Sequence, residues 1–563
     1  MMTYLLGTIC ILITDDCVYL PFYMKLFFEL FFDLYLICLL FTILPQIITF
    51  ILKLTLVLFF YLCTIIELFC IIRLNTQISP SIVQLMIETN LKEMESFFTT
   101  YFNEGLIYSY IPIIFFMMFL HCYLEIKTKN KKANIPHTYA ILVAFLLICG
   151  CYSSIDNKKY IKALFTANSV EAAEQYMAQE NWATRSLYTP THRFAFSLHT
   201  SYLASNKLKN LVITYKDIII KQNTDSLCTI VLIIGESYNK HHSQLYGYKY
   251  ETTPKQKKLQ ESGKLYVFQD AVTPYNLTSY AFINLFSTNN ISAHEQWTDY
   301  PLFTQIFHKA GFNVTFITNQ YVKNKDKEFF DFSGGIFLNN DQMESTQFNH
   351  RNTRIYNNDV MLLAEYDSLK RYNTNKNLII FHLLGQHFNY RERFPKDSLW
   401  FKPSLYVRKD LKESDKQIIA NYDNATRYND YIVYKIIEIF KNENAIVLYI
   451  ADHGEECFDE IKDFGRTHKY KISKEIAKNE FQIPFWIWCS QKYLKDHTTI
   501  SKQIKSSLMK PFFSDDLPHL LLYLGGIETV YYKRELNIID PNYDLSRKRL
   551  LRGIWDYDSI MKH

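Results

Sequence analysis

Apolar residues are spread unevenly along this chain, and the unevenness divides it in two. Through the first quarter they form long runs at 3–13, 26–44, 47–72, 108–124 and 139–152. Several of these approach the roughly 20 residues a helix needs to cross a bilayer. Pro45 separates the second and third runs, where it marks a tight turn between two spans. From residue 228 onward the runs shorten to strand length, at 229–234, 265–268, 312–317, 378–383, 445–450 and 483–488, and helical segments at 302–310, 360–370 and 414–440 fall between them. Strands separated by helices predict a mainly parallel, doubly wound α/β/α sandwich. The fold expected is therefore α/β, a five-helix transmembrane domain followed by that sandwich.

Between the two halves the chain is mixed. Trp182, Phe194 and Phe196 interleave with Arg185, Arg193, Lys207 and Lys209, which suits either a connector in the lipid headgroup zone or an ordinary surface helix. The organisation expected is a transmembrane domain at 1–154 with an outer loop at 73–105, an interfacial linker at 155–227 and a catalytic domain at 228–563. Lys127, Lys129, Lys131 and Lys132 lie in the short loop between the last two apolar runs, so the positive-inside rule assigns that loop to the cytoplasm. Counting from it, both the outer loop and everything beyond about residue 153 lie outside. The first run meets Asp15 and Asp16 and lacks a basic leader and a small-residue cleavage site, so it reads as a span rather than a signal peptide.

Composition narrows this little. A formal charge of +5 over 563 residues points to neither a nucleic acid nor a polyanion as partner. Most of the 11 cysteines lie in or beside the membrane runs, and only Cys228, Cys457 and Cys489 belong to the outer domain. That excludes a dense disulfide framework and leaves a single Cys457–Cys489 pairing open.

The candidate chemistry sits at strand ends. The run at 229–235 ends in Glu236, and that at 445–450 is followed by Asp452-His453-Gly454. Ligands of open α/β sheets collect outside the carboxyl ends of parallel strands, so these three residues can converge despite their distance in sequence. Carboxylate, carboxylate and imidazole are a zinc-type donor set, and a catalytic zinc keeps a position for the reacting group. A fourth group is sought among the hydroxyls at 272–287, where Thr273, Thr278, Ser279 and Ser287 stand. A hydroxyl bound to a metal becomes a nucleophile at neutral pH.

Gly235-Glu236-Ser237, Leu245-Tyr246-Gly247-Tyr248 and Thr252-Thr253-Pro254 resemble the opening signature of bacterial phosphoethanolamine transferases of the alkaline-phosphatase and sulfatase superfamily. The resemblance continues through Val272-Thr273, Phe286-Ser287, Thr318-Asn319-Gln320, Gly385-Gln386-His387, Asn421-Tyr422-Asp423-Asn424, Asp452-His453-Gly454-Glu455 and Gln482-Ile483-Pro484-Phe485. It implies a membrane-anchored sulfatase-like domain on the periplasmic side of the bacterial inner membrane. It also implies transfer of phosphoethanolamine from phosphatidylethanolamine to lipopolysaccharide, on lipid A or core sugar, by a monomer. Thr278, eight residues before Phe286, takes the place of the family's nucleophile, with Ser279 as the alternative. Glu236, Thr278, Asp452 and His453 become the ligands of one firmly held zinc, with room for a second. His387 and His468 fall beside the transferred phosphate, and Thr89, Glu93 and Asn319 on the substrate; His382 reads equally as substrate-facing or structural.

Leu85 stands where the family has an asparagine four residues before Thr89, a departure from its headgroup-contacting pattern, and three positions depart from the lipid A enzymes: Gly465 replaces a histidine, and Tyr275 and Asn284 the cysteines flanking the nucleophile. These three favour the core-modifying sub-branch. Masking a phosphate with a cationic ethanolamine would lower binding of cationic peptides such as polymyxin. Among competing readings, an arylsulfatase needs a Cys/Ser-x-Pro-x-Arg context that 273–287 lacks. A lipoteichoic-acid-type glycerophosphotransferase shares the spans and the threonine but not the Leu-Tyr-Gly-Tyr and Thr-Thr-Pro pair. An inactive membrane-anchored binding module would have lost part of the ligand set.

Overall fold

The computed structural model describes residues 20–74, 111–128, 137–168, 189–223, 228–293, 295–321, 337–387, 389–466 and 472–562, with 77, 78, 83 and 187. The chain divides into two compact units between Ser205 and Asn206.

In the first unit the apolar runs form helices at Leu20–Ile43, Gln46–Leu74, Ile111–Thr128 and His137–Thr166. Pro45 occupies the break between the first two. Lys25–Ile43 and Gln46–Ile71 are each long and apolar enough to cross a membrane. A third crossing results if Ala140–Ile155 and Asn157–Thr166, bent by 41°, act as one, and Ile114–Leu124 is a shorter apolar helix. Among the described residues the count is thus two or three, where five were expected, and the run at 3–13 lies outside them. Part of the presumed interfacial linker is interior. Arg193 is buried, and its Nε donates to Glu67 Oε1 at 2.8 Å while the Ile78 amide donates to Oε2 at 3.0 Å. Buried charges persist when paired in this way. Phe196 is buried too, whereas Trp182 and Arg185 lie outside the described residues.

The second unit is built on a seven-stranded sheet: β1 Thr229–Gly235, β2 Leu265–Phe268, β3 Asn313–Thr318, β4 His350–Arg351, β5 Asn377–His382, β6 Ala445–Ala451 and β7 Phe485–Cys489, in the spatial order β2-β7-β6-β1-β5-β3-β4. Every residue of β1, β5 and β6 is buried, which is why these strands read as continuous apolar runs instead of alternating ones. Helices Phe303–Lys309, Met361–Leu369 and Glu413–Phe440 form close to the expected positions.

The sheet is mixed, not uniformly parallel. β1, β3, β4, β5 and β6 pair in parallel, while β7 runs antiparallel to both β6 and β2. The cause is the segment 452–484. Phe485 opens β7 level with Ile450 near the end of β6, so the chain never crosses back to the other end of the sheet and must return downward. The described residues of 452–466 and 472–484 are therefore kept at the carboxyl ends of the parallel strands.

Cys228, Cys457 and Cys489 are buried free thiols, so the open Cys457–Cys489 pairing is not made. Cys489 lies level with Ile446 at the start of β6, whereas Cys457 follows the other end of that strand. Their separation exceeds what a disulfide spans.

Candidate active site

The site grows out of strand register. β1 and β6 are adjacent, with Thr229 opposite Ala445 and Gly235 opposite Ala451, so Glu236 and Asp452 emerge side by side. The ladder continues past the strands, with the Asp452 amide donating to Gly235 O at 3.0 Å and the Tyr238 amide to His453 O at 2.8 Å. Two glycines permit this approach. A Cβ on Gly235 would lie 2.1 Å from Tyr449 Oη, and one on Gly454 would lie 2.2 Å from the Asn479 carbonyl oxygen.

A third element supplies the hydroxyl. Thr278 is the first residue of the buried helix Thr278–Phe286. Its Oγ1 lies 3.3 Å from both carboxylate oxygens of Glu236 and 3.2 Å from His453 Nε2. His453 Nε2 is also 3.3 Å from Glu236 Oε1 and 3.2 Å from Asp452 Oδ2. The other ring nitrogen, Nδ1, sits 2.8 Å from Gly454 O, so Nε2 is the ring nitrogen turned toward the cluster. Of the other candidate hydroxyls, Thr273 donates to Tyr275 O and Ser287 to Trp297 O.

Glu236, Asp452 and His453 are fully buried, and their ligand atoms all lie within 4.8 Å of one another. Asp452 Oδ2 accepts no hydrogen bond although it is buried. Burial, reinforced by the Glu236 carboxylate, pushes Asp452 well above the usual carboxylate range. Burial acts on Glu236 the same way, but the His453 hydrogen bond and the charges of His453, His387 and Arg466 hold it well below. Two buried carboxylates, one of them with an orphaned oxygen, and an inward imidazole nitrogen fit a divalent cation, which would satisfy all three at once.

A surrounding layer holds these groups in place. Ser237 adopts the left-handed region at φ 52, its Oγ donates to Glu236 Oε1 at 2.7 Å, and its amide donates to Asp452 Oδ1 at 3.1 Å. That conformation costs a non-glycine residue about 1 kcal/mol, and strain of this kind gathers at functional sites. Gln320 Nε2 donates to Glu236 Oε2 at 3.0 Å and to Leu383 O at 3.1 Å. Arg466 Nη1 lies 2.9 Å from His453 Nε2, and its Nε 3.5 Å from Glu455 Oε2.

Of the residues expected from sequence, Glu236, Thr278, Asp452 and His453 come together. His387 is half-buried on the turn after β5, close enough for its charge to act on Glu236. Asn319 is occupied elsewhere, its Nδ2 donating to Asp359 Oδ1 at 2.9 Å and its Oδ1 accepting from the Tyr356 amide at 2.6 Å. The neighbour Gln320 is the one that reaches the cluster. His382 is a packing residue: it is buried, its Nδ1 sits 3.0 Å from Thr318 Oγ1, its ring lies 4.5 Å from Phe282, and burial lowers its pKa to about 3. Thr89, Glu93 and His468 lie outside the described residues. Neither Gln320, although it closes the Thr318-Asn319-Gln320 motif, nor Arg466, which follows Gly465, is among the site residues expected from the sequence.

The sulfatase family profile matches residues 228–527, more than half of the chain. The chain belongs to the sulfatase family. This sulfatase-family chain is also similar to curated transferases. It is 24% identical over 503 residues to phosphoethanolamine transferase EptC of Escherichia coli strain K12, covering 86% of this chain and 82% of the relative. It is 28% identical over 355 residues to phosphoethanolamine transferase EptA of Helicobacter pylori strain 26695, covering 61% and 64%. It is 29% identical over 281 residues to the Kdo(2)-lipid A phosphoethanolamine 7''-transferase of E. coli K12, covering 49% and 46%. Among solved structures, the zinc complex of the C-terminal periplasmic domain of EcEptC from E. coli aligns at a TM-score of 0.51 and 24% identity, covering 61% of this chain and 96% of that one. That likeness confirms the fold expected for the second unit.

Proposed function

We propose that this sulfatase-family chain is a phosphoethanolamine transferase that moves the headgroup phosphate of phosphatidylethanolamine onto lipopolysaccharide through Thr278. The position of Thr278 carries the reading: its Oγ1, the hydroxyl within reach of both Glu236 and His453, stands at the amino end of a buried helix. The relatives named for this reaction support it.

Glu236, Thr278, Asp452 and His453 would hold zinc, which supplies Lewis acidity to the hydroxyl and to the phosphoryl oxygens. Thr278 Oγ1 then forms a bond to the donor phosphorus and gives up its proton, while the bond to the diacylglycerol oxygen breaks and that oxygen takes up a proton. The first-turn amides of Thr278–Phe286 present the positive end of the helix to the phosphoryl group. His387 and His468 are assigned to its oxygens, and Thr89 and Glu93 to substrate positioning; Asn319, held by Asp359 and Tyr356, is not. An acceptor hydroxyl or phosphate next displaces the phosphoethanolamine from Thr278. The Glu236 carboxylate, with both oxygens 3.3 Å from Thr278 Oγ1, keeps the hydroxyl oriented.

The setting proposed is a multi-pass anchor of five spans in the bacterial inner membrane, domains at 1–154, 155–227 and 228–563, a catalytic domain in the periplasm, and a monomer. Intact-mass analysis of protein incubated with phosphatidylethanolamine tests the chemistry. A phosphoethanolamine adduct mapped to Thr278, absent from Thr278→Ala and retained by Thr278→Ser, is the expected outcome. An adduct on another residue, or a glycerophosphate adduct, overturns the assignment. Mass spectrometry of lipopolysaccharide from cells with and without the gene locates the acceptor.

A further inference from the structure

The loop between the turn after β5 and the helix Glu413–Phe440 exposes apolar side chains that nothing in the catalytic scheme uses. Val407 is 88% exposed, Leu399 47%, Trp400 44% and Leu405 41%. Monomeric surfaces rarely cluster large apolar groups this closely without a partner. The stretch 396–412 also carries five basic residues against two acidic ones. Of the acids, Asp410 is tied to Arg408, with Nη2 to Oδ2 at 2.7 Å. Lys402 and Lys409 are exposed and have no carboxylate partner among the described residues.

This loop is held rigidly. Phe401 and Tyr406 point inward and are buried in a small cluster with Tyr390, Tyr422 and Cys457, so the exposed residues on either side must point outward. Asn424 Oδ1 accepts from the amides of Trp400 and Phe401 at 2.7 and 3.0 Å, and Tyr250 Oη donates to Leu405 O at 2.9 Å. Arg408 Nη1 donates to Phe458 O at 2.9 Å, which links the loop to the segment following His453. A preorganised apolar tip loses little conformational entropy when it docks.

We infer that this loop is a lipid-docking surface, with Leu399, Trp400, Leu405 and Val407 entering the interfacial zone of a phospholipid bilayer while Lys402 and Lys409 meet anionic headgroups. Tryptophan beside lysine is the composition of a membrane–water interface, where each basic residue is attracted by about 1 kcal/mol. A protein partner fits less well, because lysine is depleted from protein–protein interfaces. The same chain carries helices long enough to span a bilayer, so such a surface is always at hand. The inference is independent of the reaction assigned to Thr278.

The test uses full-length protein in nanodiscs of phosphatidylethanolamine and phosphatidylglycerol, with and without tail-brominated phospholipid. Quenching of tryptophan fluorescence should be greater in the wild type than in Trp400→Phe, the difference being the component from Trp400. Lys402→Glu combined with Lys409→Glu should weaken that docking by about fivefold or more per lysine. Equal quenching in wild type and Trp400→Phe overturns the inference, as does quenching unchanged in the lysine variant. Trp400 insensitive to bromolipid but shielded on cross-linking to another protein would assign the surface to that partner instead and also overturn it. Trp400→Phe preserves an aromatic at the surface, and the lysine pair is exposed, so both variants leave the fold intact.

Discussion

At the scale of single residues, the site depends on groups that hold the ligands as much as on the ligands themselves. Gln320 donates to the Glu236 oxygen that Ser237 does not serve, so the two together fix both oxygens of one carboxylate. Removal of such an orienting partner usually costs 10–100-fold in metal affinity. Gln320→Ala should therefore lose zinc about 10–100-fold more readily in chelator competition, with its urea unfolding midpoint in the metal-free state little changed. A second buried residue acts further out. His242 Nδ1 lies 2.6 Å from Asp423 Oδ1 and its Nε2 3.1 Å from Asp459 Oδ2. Burial opposes its charge, but Asp459 and Asp423 overcome that and raise its pKa well above the ordinary value of 6.5. A folded-state pKa raised in this way contributes stability that is complete below about pH 6.5 and lost as pH climbs through the folded value. The unfolding free-energy difference between wild type and His242→Gln should accordingly be largest near pH 6 and shrink under alkaline conditions. His242→Ala, which removes the cation beside buried Asp423 and leaves it only the Tyr248 and Tyr406 hydroxyls, should cost on the order of 3–5 kcal/mol in urea unfolding.

At the scale of elements, two close approaches decide whether the strand ends meet. Gly235 closes β1 beneath Tyr449, whose ring stacks on Trp486 at 5.2 Å and cannot swing away. Gly235→Ala should destabilise the protein by about 1–3 kcal/mol through overpacking, and Tyr449→Phe in the same chain should recover part of the loss because it removes the oxygen nearest the added methyl. Thermal unfolding of the single and double variants measures both. Antiparallel β7 has a different consequence. By returning directly from the carboxyl end of β6, it keeps Asp452, His453, Glu455 and Arg466 on one side of the sheet, where a parallel crossover would have carried part of that segment away. The helix Thr278–Phe286 is brought to the same edge by contacts of its buried face, including the Phe282 ring 4.5 Å from His382 at the end of β5 and the Phe286 ring 5.0 Å from Phe303.

At the scale of the whole molecule, the second unit places two buried carboxylates together at the carboxyl edge of its central strands, an arrangement that a bound cation would reconcile. Metal binding to the folded state alone raises stability by about 2.7 kcal/mol at 100 times the dissociation constant. Chelation should lower the melting temperature of this unit, and stoichiometric zinc should restore it; an unchanged melting temperature would show that Glu236 and Asp452 are stable without metal. Reductant should have no comparable effect, since Cys228, Cys457 and Cys489 are all buried free thiols.

The sequence by itself determined the strands at the centre of the sheet, because burial on both faces leaves an unbroken apolar run, and it determined that Glu236 and Asp452 stand at carboxyl ends, because those runs stop there. It also placed Thr278 within a short list of hydroxyls, and the resemblance chose among them. It did not determine that Gln320, not Asn319, reaches Glu236, a contact across 84 residues that depends on which side of β3's end faces β1. Nor did it show Arg466 beside His453, the antiparallel course of β7, the burial of Arg193 against Glu67, or the separation of Cys457 from Cys489. Local patterns record how much of a segment is buried and with what period. Which buried groups touch is set by register and packing between segments remote in sequence, and only the tertiary structure decided that.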